Sequence, residues 1–167
     1  MIDRFANGDT SNDVPNGAPG RSYLDLHNPR AYHGGDLRGV MDHLSYLKDL
    51  GVTAIWLTPW YDNWNGVNRC GEPWCPNTYY HGYHAIDYYS VEDHFGDLKT
   101  LRELVEKAHS LGLKVIQDQV ANHSWFAASV DRGSAVAKLV PRHTDFSITA
   151  IDSETAFCFR LIPIRKT

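Results

Sequence analysis

Leu50-Gly51-Val52-Thr53-Ala54-Ile55-Trp56-Leu57-Thr58-Pro59 is the stretch on which the fold turns. Apolar and β-branched residues lie between a helix-stopping glycine and a proline, which reads as a buried strand over 52–58. Directly upstream, Leu37, Val40, Met41, Leu44, Leu47 and Leu50 recur at helical spacing, so the pattern predicts one helix over 37–50 closed by Gly51. The same unit then repeats. Asp97 can cap a helix whose apolar stripe is Leu98, Leu101, Leu104, Val105, Ala108 and Leu111, with Gly112 as its stop. Glu103 and Lys107 stand at i,i+4 on its outer face, and 113–118 reads as the next strand. Helix and strand alternating through short loops predict parallel βαβ units, hence an α/β fold.

Working outward, the connection from Thr58 to Leu98 shows no periodicity and is rich in Trp, Tyr, His and Gly. Loops of that length are functional or disordered, and the aromatic content argues for function. It also leaves the C-terminal end of a strand, where parallel α/β folds build their sites. The chain of 167 residues has room for one domain but not for a complete (β/α)8 barrel, which takes about 250. A net charge of -4 and a pI near 6.1 give no reason to expect a nucleic-acid partner, and no apolar run is long enough to span a membrane. Nine tyrosines and five tryptophans suit either a surface that stacks sugar faces or a well-packed core.

Three cysteines are too few for a disulfide framework. Cys70 and Cys75 share a Gly/Pro-rich loop, and bridged and reduced states are both open. The pair tips the expected location toward secreted or periplasmic, although Ile2-Asp3-Arg4-Phe5 behind Met1 is no signal peptide. Cys158, between Phe157 and Phe159, reads as buried and chemically idle.

Three constellations carry chemistry. Asn7-Gly8-Asp9-Thr10-Ser11-Asn12-Asp13, with Gly34-Gly35-Asp36 behind it, supplies the oxygen ligands that Ca2+ takes, yet these are also ordinary turn residues. Spacing alone favours the solvated turn. Tyr79 to Tyr88 places polar aromatics beside Asp87, which suits sugar binding or a tyrosine-rich packed loop equally. Asp118, Asn122 and His123 cluster at a strand's C-terminal end, either lining a pocket or standing as surface polar groups.

In this order and spacing, the elements resemble glycoside hydrolase family 13, the α-amylase family, and within it the neopullulanase/cyclomaltodextrinase-like branch. The resemblance spans roughly 2–123 and rests on Asp3-Arg4-Phe5-Ala6-Asn7-Gly8-Asp9, His33-Gly34-Gly35-Asp36-Leu37-Arg38-Gly39-Val40 and the opening stretch. Gly82-Tyr83, Asp87-Tyr88, Phe95-Gly96-Asp97 and Asp118 with Asn122-His123 complete it. It implies a partial TIM (β/α)8 barrel of about three βα units, with a long loop after the second strand. It also implies Ca2+ as the cofactor, held by Asn7, Asp9, Asn12, Asp13, Asp36 and the carbonyl of Gly34. Tyr83 would stack under the sugar at the cleavage subsite and His123 would hydrogen-bond it. Asp118 and Asn122 would hold the site's architecture, Asp118 by pairing with an arginine on the next strand.

Such enzymes need two carboxyl groups about 5–5.5 Å apart, a nucleophile and an acid/base. Neither pattern occurs after His123, so no catalytic residue is assigned and the chain is expected to be inactive alone. Residues 1–123 are expected to be the N-terminal portion of the barrel. Residues 124–167 read as a divergent tail, with a shifted reading frame and disorder both open, and with one short strand over 156–164. Three strands would leave sheet edges and apolar faces exposed, to be covered by the missing C-terminal part of the barrel. The expected function is a fragment of a retaining hydrolase acting on α-glucosidic bonds of starch-like polysaccharides, maltooligosaccharides or cyclodextrins. The alternatives are a non-catalytic Ca2+/α-glucan-binding module and a truncated gene product with no function.

Overall fold

The computed structural model describes residues 1–15, 24–67 and 76–119. Asn122, His123, the three cysteines, the 123/124 boundary and the strand expected over 156–164 lie outside the described residues. Two 3-10 turns, Ile2–Arg4 and Thr10–Asn12, precede helices α1 (Leu37–Asp42) and α2 (Leu44–Asp49). Strands β1 (Ala54–Leu57), β2 (Tyr61–Asn63) and β3 (Ala85–Val91) follow, then helix α3 (Leu98–Ser110) and strand β4 (Lys114–Gln117).

One helix was expected where two are found. The break falls at His43, whose ring Nδ1 lies 2.8 Å from the carbonyl oxygen of Gly39 and takes an acceptor that the next turn would use. The apolar stripe continues across the break, and Leu37, Val40, Met41 and Leu44 are all buried. Helix α3 starts as its sequence dictates: the Asp97 carboxylate accepts from Thr100 N at 2.7 Å and Thr100 Oγ1 at 2.8 Å. Those bonds hold the Asp97 carboxyl below the usual carboxylate range. Gly112, at φ 74, ends the helix and lets Leu113 N donate back to Ala108 O. The exposed face differs from expectation. Glu103 meets Lys99 at 3.7 Å and Arg38 at 3.8 Å, a link from α3 to α1.

Strands β1 and β4 pair in parallel, with Trp56 opposite Ile116 and Leu57 opposite Gln117. Helix α3 connects them and packs on both β4 and α1, as a βαβ unit requires. Ile55 and Leu57 face the helices and join a core with Ile2, Leu37, Leu44, Phe95, Leu104 and Leu113. Burying such a side chain is worth about 1.5–3 kcal/mol. The other face of β1 is open: Trp56 is 69% exposed and Ile116 44%. The 52–58 run is therefore half-buried, not fully buried, because the helices cover only one side of the pair.

Gly39 sits inside α1, where propensity alone would favour alanine by about 1 kcal/mol. A Cβ there would lie 1.9 Å from the carbonyl oxygen of Ala6, a backbone atom that cannot swing aside. Gly39→Ala is therefore expected to destabilise the protein by about 1–3 kcal/mol. Urea unfolding checks the sign, and stabilisation would mean that the two segments do not touch.

Candidate functional site at the strand ends

The 59–97 connection is not irregular throughout. β2 and β3 form an antiparallel pair with a bulge, with Tyr61 opposite Val91 and Asp62 opposite Asp87. Glu92, fully buried, staples this hairpin: its carboxylate accepts from Asn63 N at 2.7 Å and pairs with His94 Nδ1 at 2.6 Å. The His94 ring lies flat on Tyr32, with centroids 3.8 Å apart. A lone Glu and a lone His two residues apart carry no periodic signal, so sequence reasoning missed both.

The hairpin delivers Tyr83 to the C-terminal end of β4. Gly82, at φ 85, makes the last turn, and a Cβ on it would lie 2.0 Å from Pro59 O, so the loop is pressed against the end of β1. The Tyr83 hydroxyl donates to Asp118 Oδ2 at 2.6 Å, which raises the pKa of the phenol. Tyr83 N donates to His81 Nδ1 at 3.0 Å, and the two rings stack at 5.8 Å. Burial holds the His81 pKa below its ordinary value, which keeps Nδ1 an acceptor. One position on, the Tyr61 hydroxyl donates to Gln119 Oε1. Consecutive residues after β4 thus hold two tyrosines from the long connection. Of the expected sugar-site residues, Tyr83 and Asp118 are brought together, while His123 and Asn122 lie outside the described residues.

The second cluster surrounds Asp36, whose side chain is buried. Its carboxylate receives Gly8 N at 3.1 and 3.2 Å, Asp9 N at 2.8 Å and Gly39 N at 2.6 Å. Both oxygens are taken by backbone amides, so Asp36 caps α1 and clasps the 7–9 turn where a cation ligand was expected. Asp9 Oδ1 is likewise engaged, by Ser11 N and Oγ. Of the other residues in that expected set, Asn7, Asp13 and Gly34 lie together. Asn7 Nδ2 donates to Asp13 Oδ1 at 2.8 Å, and a Cβ on Gly34 would meet those two atoms at 2.6 and 2.7 Å. Asn12 Oδ1 is buried without a hydrogen-bond partner. Burial raises the Asp13 pKa, and the nearby Asp36 and Asp9 charges add to that rise against the Asn7 hydrogen bond.

Among the described residues, no three His, Cys, Asp or Glu side chains are grouped to hold a metal. A cation here would depend on amide and carbonyl oxygens. The orphaned Asn12 oxygen, the Asp13 carboxylate, the Gly34 cradle and a flipped Asn7 amide are the hard donors that Ca2+ takes. The set fits.

The motifs that build both clusters are also those that carry the family resemblance. The α-amylase catalytic-domain model matches residues 1–149. The chain belongs to the α-amylase catalytic-domain family. A cyclomaltodextrin glucanotransferase of Klebsiella oxytoca is 44% identical over 126 residues, covering 74% of this chain and 18% of that protein. A cyclomaltodextrinase of Thermoanaerobacter pseudethanolicus is 41% identical over 124 residues, covering 74% and 19%. The crystal structure of CldA, a cyclomaltodextrin glucanotransferase with a three-domain ABC distribution, superposes with a TM-score of 0.70 at 42% identity, covering 77% of this chain and 26% of that one. The chain thus spans about a fifth of the curated relatives' length. The α/β fragment described above is part of a TIM barrel of this α-amylase family.

Proposed function

We propose that the chain forms the N-terminal part of the barrel of a retaining glycoside hydrolase that acts on α-glucosidic bonds of starch-like glucans, maltooligosaccharides or cyclodextrins. The hydrogen bond from Tyr83 to Asp118 carries the reading. It fixes an aromatic face at the C-terminal ends of parallel strands, where such barrels bind substrate. Tyr83 presents the face, Asp118 orients it, and Asn122 and His123 follow four and five residues beyond Asp118 in the sequence. The nucleophile and acid/base belong to barrel strands that residues 1–167 do not supply, so this chain alone binds sugar without cleaving it. Residues 1–123 make up the barrel portion in this reading, 124–167 are a divergent tail, and the location is secreted or periplasmic.

Ca2+ is part of the proposal, held by Asn7, Asn12, Asp13 and the Gly34 carbonyl, with Asp9 beside them and Asp36 organising the turn. Bound there, it would neutralise carboxylates and fix the loop; it takes no part in bond cleavage. The sign of its pH dependence follows from Asp13. Because burial raises that pKa, ionised Asp13 disfavours the cation-free fold, and its contribution to stability is lost as pH rises through the raised value. Added Ca2+ should therefore raise the melting temperature more at neutral pH than in acid. The gain is about 2.7 kcal/mol at a hundredfold excess over the dissociation constant. Equal melts with Ca2+ and with a chelator at neutral pH would remove the cation from the proposal.

Calorimetric titration of the purified chain with maltooligosaccharides, alongside a reducing-sugar assay on starch, tests the rest. Binding without turnover is expected. Turnover by the chain alone would overturn the assignment of the chemistry to other strands, and absence of binding would overturn the sugar platform. A second reading, a non-catalytic Ca2+/α-glucan-binding module, draws on the same Tyr83–Asp118 contact. It is favoured if binding is unchanged when further barrel segments are supplied.

A further inference from the structure

Asn7 precedes Gly8, and a glycine leaves the following amide nitrogen open to attack the asparagine side chain. In this fold that nitrogen is not available. Gly8 N–H points at both oxygens of Asp36, at 3.1 and 3.2 Å, so removing its proton would place an anion against a buried carboxylate. Gly8 is also wedged against α1, since a Cβ on it would lie 2.3 Å from Gly39 N. The Asn7 amide itself is held by a partner, its Nδ2 donating to Asp13 at 2.8 Å. Yet Asn7 and Gly8 are solvent-exposed, and water and base reach them whenever the clasp opens.

We infer that Asn7–Gly8 is a gated deamidation site, closed by the Asp36 clasp and opened by local release of the 7–9 turn. On release, Gly8 N bonds to Asn7 Cγ, ammonia leaves, and a succinimide forms. Water then opens the ring to aspartate or isoaspartate. The product carries a negative charge where Asn7 had donated a hydrogen bond to Asp13, with Asp9 and Asp36 already close. Without a cation the altered loop repels itself, and with one it offers an additional anionic ligand. Deamidation here is thus a one-way charge step on the loop. This second consequence rests on the cation reading, whereas the gating does not.

The test is peptide mapping by mass spectrometry of the full chain held in mildly alkaline buffer at physiological temperature. Asn65–Gly66, outside the clasp, serves as the internal reference. Deamidation at Asn7 should be about tenfold or more slower in the folded protein than in urea, the difference reporting the free energy of local opening. Asp36→Asn should bring the Asn7 rate toward its urea value while leaving the Asn65 rate unchanged. Where that variant fails to fold, sub-denaturing urea replaces it, and hydrogen exchange at Gly8 N and deamidation at Asn7 should then accelerate together. Equal Asn7 rates in folded and unfolded protein overturn the gate, as does acceleration of one process without the other. If gating holds but Asn7→Asp melts identically to the parent with and without Ca2+, only the charge consequence falls.

Discussion

Asp36→Ala is expected to remove a large share of the chain's folding stability. Three backbone amides lose their acceptor at once. Gly39 N, the buried one, costs about 1–3 kcal/mol when left unsatisfied, while the part-buried bonds of Gly8 N and Asp9 N are worth less because water can replace the acceptor. The helix α1 cap goes with them. The sum, about 3–6 kcal/mol after overlap between these terms, is comparable with the whole stability of a small domain, about 5–15 kcal/mol. Asp36→Asn keeps one acceptor oxygen but turns an NH2 toward donors, and should fall between. Circular dichroism during urea titration reads both. If Asp36→Ala melts beside the parent, the clasp is decoration and the 7–9 turn is held by something else.

The largest functional effect is expected at Tyr83. Tyr83→Ala should weaken maltooligosaccharide binding by roughly ten- to a hundredfold, about 1.4–2.8 kcal/mol, with little change in melting temperature. Its ring is half-exposed and contributes little to the core. Tyr83→Phe retains the stacking face and loses only the tether to Asp118, so its loss should be clearly smaller. Calorimetric titration of the three proteins separates ring from tether. Equal losses in the two variants would show that the hydroxyl, not the face, touches the sugar. Unchanged binding in Tyr83→Ala would end the platform reading.

The elements that could be read from sequence are those with a period. Leu101, Leu104 and Ala108 mark α3 because a helix buried on one side must repeat, and Asp97 and Gly112 punctuate it because backbone groups at its ends need partners. The parallel pair followed from that helix and its flanking apolar runs. The hairpin in the long connection was not legible. β2 has three residues and a bulge at each step, so alternation never develops. The break at His43 was hidden for the opposite reason: the apolar stripe runs straight through it, and only a ring-to-carbonyl bond ends α1.

The site divides in the same way. Tyr83 and Asp118 were legible through a family motif, but their mutual hydrogen bond is a contact between residues far apart in the chain, which no local pattern encodes. Spacing alone read the Asp36 turn as a solvated one, and only the family resemblance made Asp36 a cation ligand. Composition cannot say whether an oxygen faces an ion or a row of amides. Glu92 and Tyr61 act on Asn63 and Gln119, residues far from them in the chain, and leave no trace in spacing.

The Asp36 clasp also bears on the order in which the chain assembles. It joins residues 28 apart, whereas the parallel pair must bring residue 54 to residue 114. Loop-closure entropy grows as the logarithm of length, so the clasp closes at a cost about 0.7 kcal/mol smaller than the sheet. Its reward is a set of charge-assisted hydrogen bonds that forms without waiting for α3. Of these two long-range contacts, the polar knot at the start of the chain, not the strand pairing, is the one that costs the chain less freedom to close.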